Sequence, residues 1–73
     1  MLSKQITYLR KKSGISQSQL ASILKVSPST IGMYEQGRRV PDLTMLVSLS
    51  QFFGVSLDYL ITGKEFLTAV PDE

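Results

Sequence analysis

The sequence contains no cysteine, no histidine and no tryptophan. Without cysteine there is no disulfide and no thiolate metal site. Without histidine the commonest zinc ligand and the commonest general base are missing as well. The six carboxylates, Glu35, Asp42, Asp58, Glu65, Asp72 and Glu73, are scattered without the spacing of a metal-binding loop. No metal, cofactor or small-molecule ligand is therefore expected. An enzyme is not expected either, because no ordinary nucleophile–base pair can be assembled. No apolar run approaches the roughly 20 residues needed to span a bilayer, so no membrane partner is expected. The opening Met-Leu-Ser-Lys has no long apolar core behind its charge, unlike a secretory signal. A cytoplasmic protein is the expectation.

Seventy-three residues suffice for one domain, and the 42% apolar content supports a packed core rather than disorder. A domain this small buries only about 60% of its unfolded surface, so modest stability is expected. The formal net charge is +2, but it is unevenly spread. Residues 1–63 carry Lys4, Arg10, Lys11, Lys12, Lys25, Arg38 and Arg39 against Glu35, Asp42 and Asp58, whereas the last ten carry Lys64 against Glu65, Asp72 and Glu73. A basic body with an acidic end suits a phosphate-bearing partner.

The periodicity predicts five helices and no strand. The first runs from Ser3 to Ser13, with Ile6, Leu9, Arg10 and Ser13 on one face. The second runs from Gln17 to Leu24, with Leu20, Ala21 and Leu24 inward; Ser16 and Gln19 have the spacing of a capping box. The third has Ser27 as N-cap and Pro28 at its first position, and ends at Gln36. The fourth has Asp42 as N-cap and runs to Phe53, with Leu46, Leu49, Ser50 and Phe53 inward. The fifth has Ser56 as N-cap and runs to Thr62, with Leu57, Leu60 and Ile61 on its apolar face. Gly14, Gly37, Gly54 and Gly63 fall where left-handed residues would end helices. Residues 64–73 read as a flexible C-terminal tail.

Only Lys25 and Val26 join the second helix to the third, which forces a sharp crossing of the helix-turn-helix kind. Ala21 must be small where the third helix packs across the second, and Val26 and Ile31 close the corner. The stretch Gln17-Ser-Gln-Leu-Ala21, then Val26-Ser27, Ile31 and Tyr34-Glu35-Gln36-Gly37 resembles the phage-repressor/Cro (Xre-type) helix-turn-helix family. The flanks Leu9-Arg10, Arg39-Val40-Pro41 and Gly54-Val55-Ser56-Leu57 agree, so the resemblance covers roughly residues 4–63. It implies an all-α, five-helix, lambda-repressor-like domain. It also implies a prokaryotic or phage-encoded regulator of transcription, repressor-like, that reads double-stranded operator DNA with its third helix in the major groove. Two residues depart from the pattern. Lys25 stands where the family usually has glycine, and a left-handed non-glycine residue costs about 1 kcal/mol. Gly32 lies inside the third helix at about 1 kcal/mol relative to alanine; it would allow close approach either to DNA or to a neighbouring helix.

Within that frame the outer stripe of the third helix, Ser29, Gly32, Met33 and Gln36, carries no carboxylate. Together with Ser27 and Pro28 it is expected to face base edges. Gln17, Lys25, Thr30, Arg38 and Arg39 are expected at phosphates, and Arg10 is included among them. Arg10 and Glu35 both fall on inward faces and should pair, because an unpaired buried charge is expensive; the resemblance implies the same pair. Tyr34 is expected in the core with its hydroxyl exposed, and Phe52, Met45 and Val47 are expected to pack. Leu57, Tyr59, Leu60 and Ile61, followed by Phe66 and Leu67, offer more apolar surface than the short fifth helix can bury, and are expected to form a homodimer contact, at least on DNA. The alternative on the same scaffold is a protein-interaction module, an antitoxin or adaptor, which would not need the stripe or the loop arginines.

Overall fold

The side chains at the starts of the later helices close them as their chemistry dictates. In a computed structural model that describes residues 2–64, the chain forms five α-helices, and no strand among the described residues. They are α1 (Leu2–Lys12), α2 (Gln17–Leu24), α3 (Pro28–Gln36), α4 (Leu43–Phe53) and α5 (Leu57–Thr62). The expected tail beyond Lys64, with Phe66 and Leu67, lies outside the described residues. Ser16 Oγ accepts the Gln19 N–H at 3.0 Å while Gln19 Oε1 accepts the Ser16 N–H at 2.8 Å, completing the capping box. Ser27, Asp42 and Ser56 accept the N–H of Thr30, Met45 and Tyr59 at 3.2, 2.9 and 3.0 Å. Each such cap contributes about 1 kcal/mol by satisfying a donor the helix cannot.

Helix α1 begins and ends one residue earlier than the periodicity predicts. Ser13 still donates its N–H to the Leu9 carbonyl at 2.9 Å, but the chain turns left-handed at Gly14, with φ of 74°. Ser13 is exposed, which corrects its inward placement.

The core draws on every helix: Ile6 and Leu9 from α1, Leu20 and Ala21 from α2, Ile31 and Tyr34 from α3, Leu49 from α4 and Leu60 from α5. Each large side chain buried in this way contributes about 1.5–3 kcal/mol. Ala21 is fully covered where α2 and α3 cross, and its carbonyl accepts the Val26 N–H at 3.0 Å. The tight corner is made by Lys25, whose φ of 61° and ψ of 42° are left-handed. Its N–H caps the end of α2, and this bond offsets part of the backbone strain.

Helix α5 departs from expectation. Leu60 has no exposed surface, because α5 packs against both α1 and α4. It is a core residue and cannot be a contact between copies. Leu57 and Tyr59 are half-buried against the core, and Ile61, expected inward with Leu57 and Leu60, is 39% exposed. Gln5 ties α1 to the same helix, donating from Nε2 to the Tyr59 carbonyl at 3.2 Å.

Candidate nucleic-acid interface

Nine residues of α3 separate into an inner and an outer face. Ile31 and Tyr34 are buried in the core, and Glu35 turns inward beside them. On the outer face Pro28, Ser29, Gly32, Met33 and Gln36 line one open cleft of about 380 Å³, joined by Gln17 from the first turn of α2 and Arg38 from the loop after α3. Five of the six residues expected to face base edges thus share a cleft with two of those expected at phosphates. The cleft contains no carboxylate, so its surface does not repel phosphate.

Ser27 is the exception. Its hydroxyl accepts the Thr30 N–H and lies 3.1 Å from Ser29 Oγ and 2.9 Å from Thr30 Oγ1. That cluster of three hydroxyls fixes the start of α3. Thr30, expected at a phosphate, is half-buried within it.

A methyl group in place of one Gly32 hydrogen would meet only Gln17 Oε1, at 3.9 Å, an ordinary contact. The packing of α2 on α3 therefore does not demand glycine. What the missing side chain leaves is an open cleft floor.

The inner face holds the charge. Arg10 Nε donates to Glu35 Oε2 at 2.6 Å and Nη2 donates to Oε1 at 3.3 Å, a two-pronged pair between α1 and α3. The side chains are only 12% and 7% exposed. Nη1 donates to the Ile15 carbonyl at 2.8 Å, so the guanidinium is committed inward on all three nitrogens. The pair expected from the sequence is present, and it leaves the expected phosphate contact of Arg10 to the second N–H of Nη1 and of Nη2. Glu35 receives a further donor from α2: Gln17 Nε2, at 3.0 Å. Burial pushes the Glu35 carboxyl upward, but hydrogen bonds from Arg10 and Gln17 and the Arg10 charge outweigh it, and its pKa is held below the usual carboxylate range. The only acid on α3 is thereby withdrawn and neutralised.

The two loop arginines, alike in the sequence, separate in space. Both N–H groups bond the Met33 carbonyl, at 2.9 Å from Arg38 and 3.4 Å from Arg39. The Arg38 side chain joins the α3 cleft, whereas Arg39 lines a second hollow with Leu2, Ser3, Tyr34, Gly37, Val40 and Pro41. Both are exposed, as is Lys25 at the α2–α3 corner. Sequence reasoning missed this hollow, and it missed that Val40 and Leu43 are 75% and 70% exposed. They stand in and just after an irregular loop, where no periodicity assigns an inside and an outside.

The fold and this face define a helix-turn-helix domain of the lambda-repressor type, in which a short second helix supports a third whose outer face is free. A family model described as Helix-turn-helix (HTH_3) matches residues 6–60, and the chain belongs to that Xre-type family. Among its relatives is the HTH-type transcriptional activator BcrR of Enterococcus faecalis, 34% identical over 70 residues, which are 96% of this chain and 34% of that protein. The SPbeta prophage-derived uncharacterized HTH-type transcriptional regulator YonR of Bacillus subtilis is 36% identical over 63 residues, 86% of this chain and 58% of that protein. The chain thus spans a third to less than two thirds of the length of these relatives. Among solved structures, the P22 c2 repressor in complex with a synthetic operator superposes with a TM-score of 0.82 at 31% identity, covering 88% of this chain and 97% of that one.

Proposed function

We propose that this chain is a sequence-specific DNA-binding module of a transcriptional regulator, repressor-like, that lays α3 in the major groove of an operator. The observation that carries this reading is the outer face of α3. Pro28, Ser29, Gly32, Met33 and Gln36 form an open cleft without a carboxylate, while the helix's one acid is paired with Arg10 on the opposite side. A helix shaped to enter a groove must avoid repelling phosphate and must offer short polar and apolar groups to base edges, and this one does both. Similarity to the P22 c2 repressor, whose structure holds a synthetic operator, supports the same reading. Arg38 in the cleft, Arg39 in the same loop and Lys25 at the α2–α3 corner are exposed cations and supply contacts to the DNA backbone.

The module acts as a homodimer on DNA, in the cytoplasm of a bacterial cell. The symmetric contact is made by the exposed part of α5, centred on Ile61 with the half-buried Leu57 and Tyr59. The two recognition helices then lie about 34 Å apart, one DNA turn, and the site is pseudo-palindromic. Selection of bound duplexes from a random pool tests both statements. Recovery of a site with two half-sites one turn apart is the expected result. Recovery of no sequence preference would refute the reading as a sequence-specific regulator, and a single half-site bound by one chain would refute the dimer.

A further inference from the structure

Glu35 does more than receive Arg10. Its Oε1 also accepts the Nε2 amide of Gln17 at 3.0 Å, across the α2–α3 crossing. An ionised carboxylate can only accept hydrogen bonds, so it selects which end of the Gln17 amide faces it. The nitrogen must point to Glu35 and the carbonyl oxygen must point away. That oxygen lies on the cleft side, 3.9 Å from where a methyl group on Gly32 would sit. A glutamine at the first turn of α2 would serve as a phosphate donor with its amide nitrogen turned outward. Here one of the two N–H donors of that nitrogen is held by Glu35, and the group on the cleft side is an acceptor, which cannot itself bond a phosphate oxygen.

Resting on the DNA-binding reading, we propose that Gln17 is a specificity-determining acceptor at the rim of the α3 cleft, set in that polarity by Glu35. Its Oε1 receives an exocyclic amino group of one base, adenine N6–H₂ or cytosine N4–H₂, the only base-edge donors in the major groove. Met33 and Gly32 leave the room for that base edge, since no side chain rises from residue 32. Glu35 is then a positioning residue. It touches no nucleic acid, yet it decides which face of the amide is read.

The test removes one amino group at a time from the selected operator, replacing adenine by purine and cytosine by 2-pyrimidinone at each position. It compares the parent chain with Gln17→Met and Glu35→Gln. At one position per half-site the parent should lose about tenfold in affinity. Gln17→Met should be insensitive at that position while keeping the parent's salt slope. Glu35→Gln, checked for helix content, should behave like Gln17→Met there, because a glutamine at 35 no longer dictates the Gln17 amide. In the DNA-free parent the Gln17 side-chain amide signals should move as Glu35 is protonated in acid, a readout that does not depend on the Glu35→Gln chain folding.

If no position distinguishes parent from Gln17→Met, the acceptor role is wrong. If Gln17→Met instead weakens every sequence equally, with no position singled out, Gln17 is a phosphate contact and the proposal falls. A Glu35→Gln chain that keeps the parent's full penalty, or amide signals indifferent to acid, would overturn the positioning role of Glu35. A parent that binds no sequence in preference to random DNA overturns the DNA reading itself, and this proposal with it.

Discussion

Arg10 on α1 and Glu35 on α3 meet at 2.6 Å through Nε and Oε2, with both side chains almost covered. The pair ties α1 to α3, two helices that also meet through the core. Removing one partner strands the other charge in a site where water cannot replace it. Arg10→Met is expected to destabilise the domain by about 3 kcal/mol, near the lower end of the range for a buried pair because Arg10 keeps a little exposure. Urea unfolding of parent and variant measures the difference; a loss below about 0.5 kcal/mol would mark the pair as an ordinary surface contact.

The same pair makes stability pH-dependent. The Glu35 pKa is held below its ordinary range in the folded state, so the folded state binds the proton less readily than the unfolded chain does. The stabilisation is fully present above the unfolded value of about 4.3 and is lost as pH falls through the lower folded value. The stability gap between the parent and Glu35→Gln should therefore be largest near neutrality and shrink in acid below about pH 4. Melting curves across that range check it, and a gap that widens in acid would contradict the assignment.

Lys25 holds a left-handed backbone without being glycine. Lys25→Gly should relieve about 1–2 kcal/mol of strain while adding freedom to the unfolded chain, leaving a net gain of about 0.5–1 kcal/mol. The same change removes an exposed cation from the α2–α3 corner, so it should lower the salt slope of DNA binding by about one unit. A chain that is both more stable and less salt-sensitive is the expected result, read from melts and a salt titration of affinity.

Arg38 and Met33 line the same cleft and should fail differently. Arg38→Ala should weaken binding to every sequence alike, with the salt slope falling by about one unit. Met33→Ala should change which base pair is preferred, by about 1–3 kcal/mol at one position where Met33 makes a good contact. Measuring both variants on a full set of single-base operator substitutions separates the two patterns. Unchanged preferences for Met33→Ala would remove it from the reading face.

Leu60 and Ile61 are neighbours with opposite tasks. Leu60→Ala opens a cavity in the core and should cost about 2–5 kcal/mol, seen as a loss of folded protein. Ile61→Ser removes a side chain that is 39% exposed and should leave folding within about 1 kcal/mol. It should nevertheless lower the cooperativity with which two chains fill an operator. Sedimentation with an operator duplex reads this, and unchanged two-chain occupancy would displace Ile61 from the contact.

The ends of α2 to α5 were determined by the sequence itself. Ser16, Ser27, Asp42 and Ser56 cap as their chemistry requires, and Gly37, Gly54 and Gly63 stand at the left-handed ends of α3, α4 and α5. These are local events that need only the next few residues. The outer stripe of α3 and the Arg10–Glu35 pair were legible for a related reason, since helical periodicity says which residues share a face. Periodicity says nothing about how far a neighbouring helix covers that face. Burial of Leu60 beside exposed Ile61, the parting of Arg38 from Arg39, and the hydrogen bond of the Gln17 amide to Glu35 all follow from how α1, α2 and α5 cross their neighbours. Those crossings are set by side chains distant in sequence packing together, and only the folded chain brings them within reach.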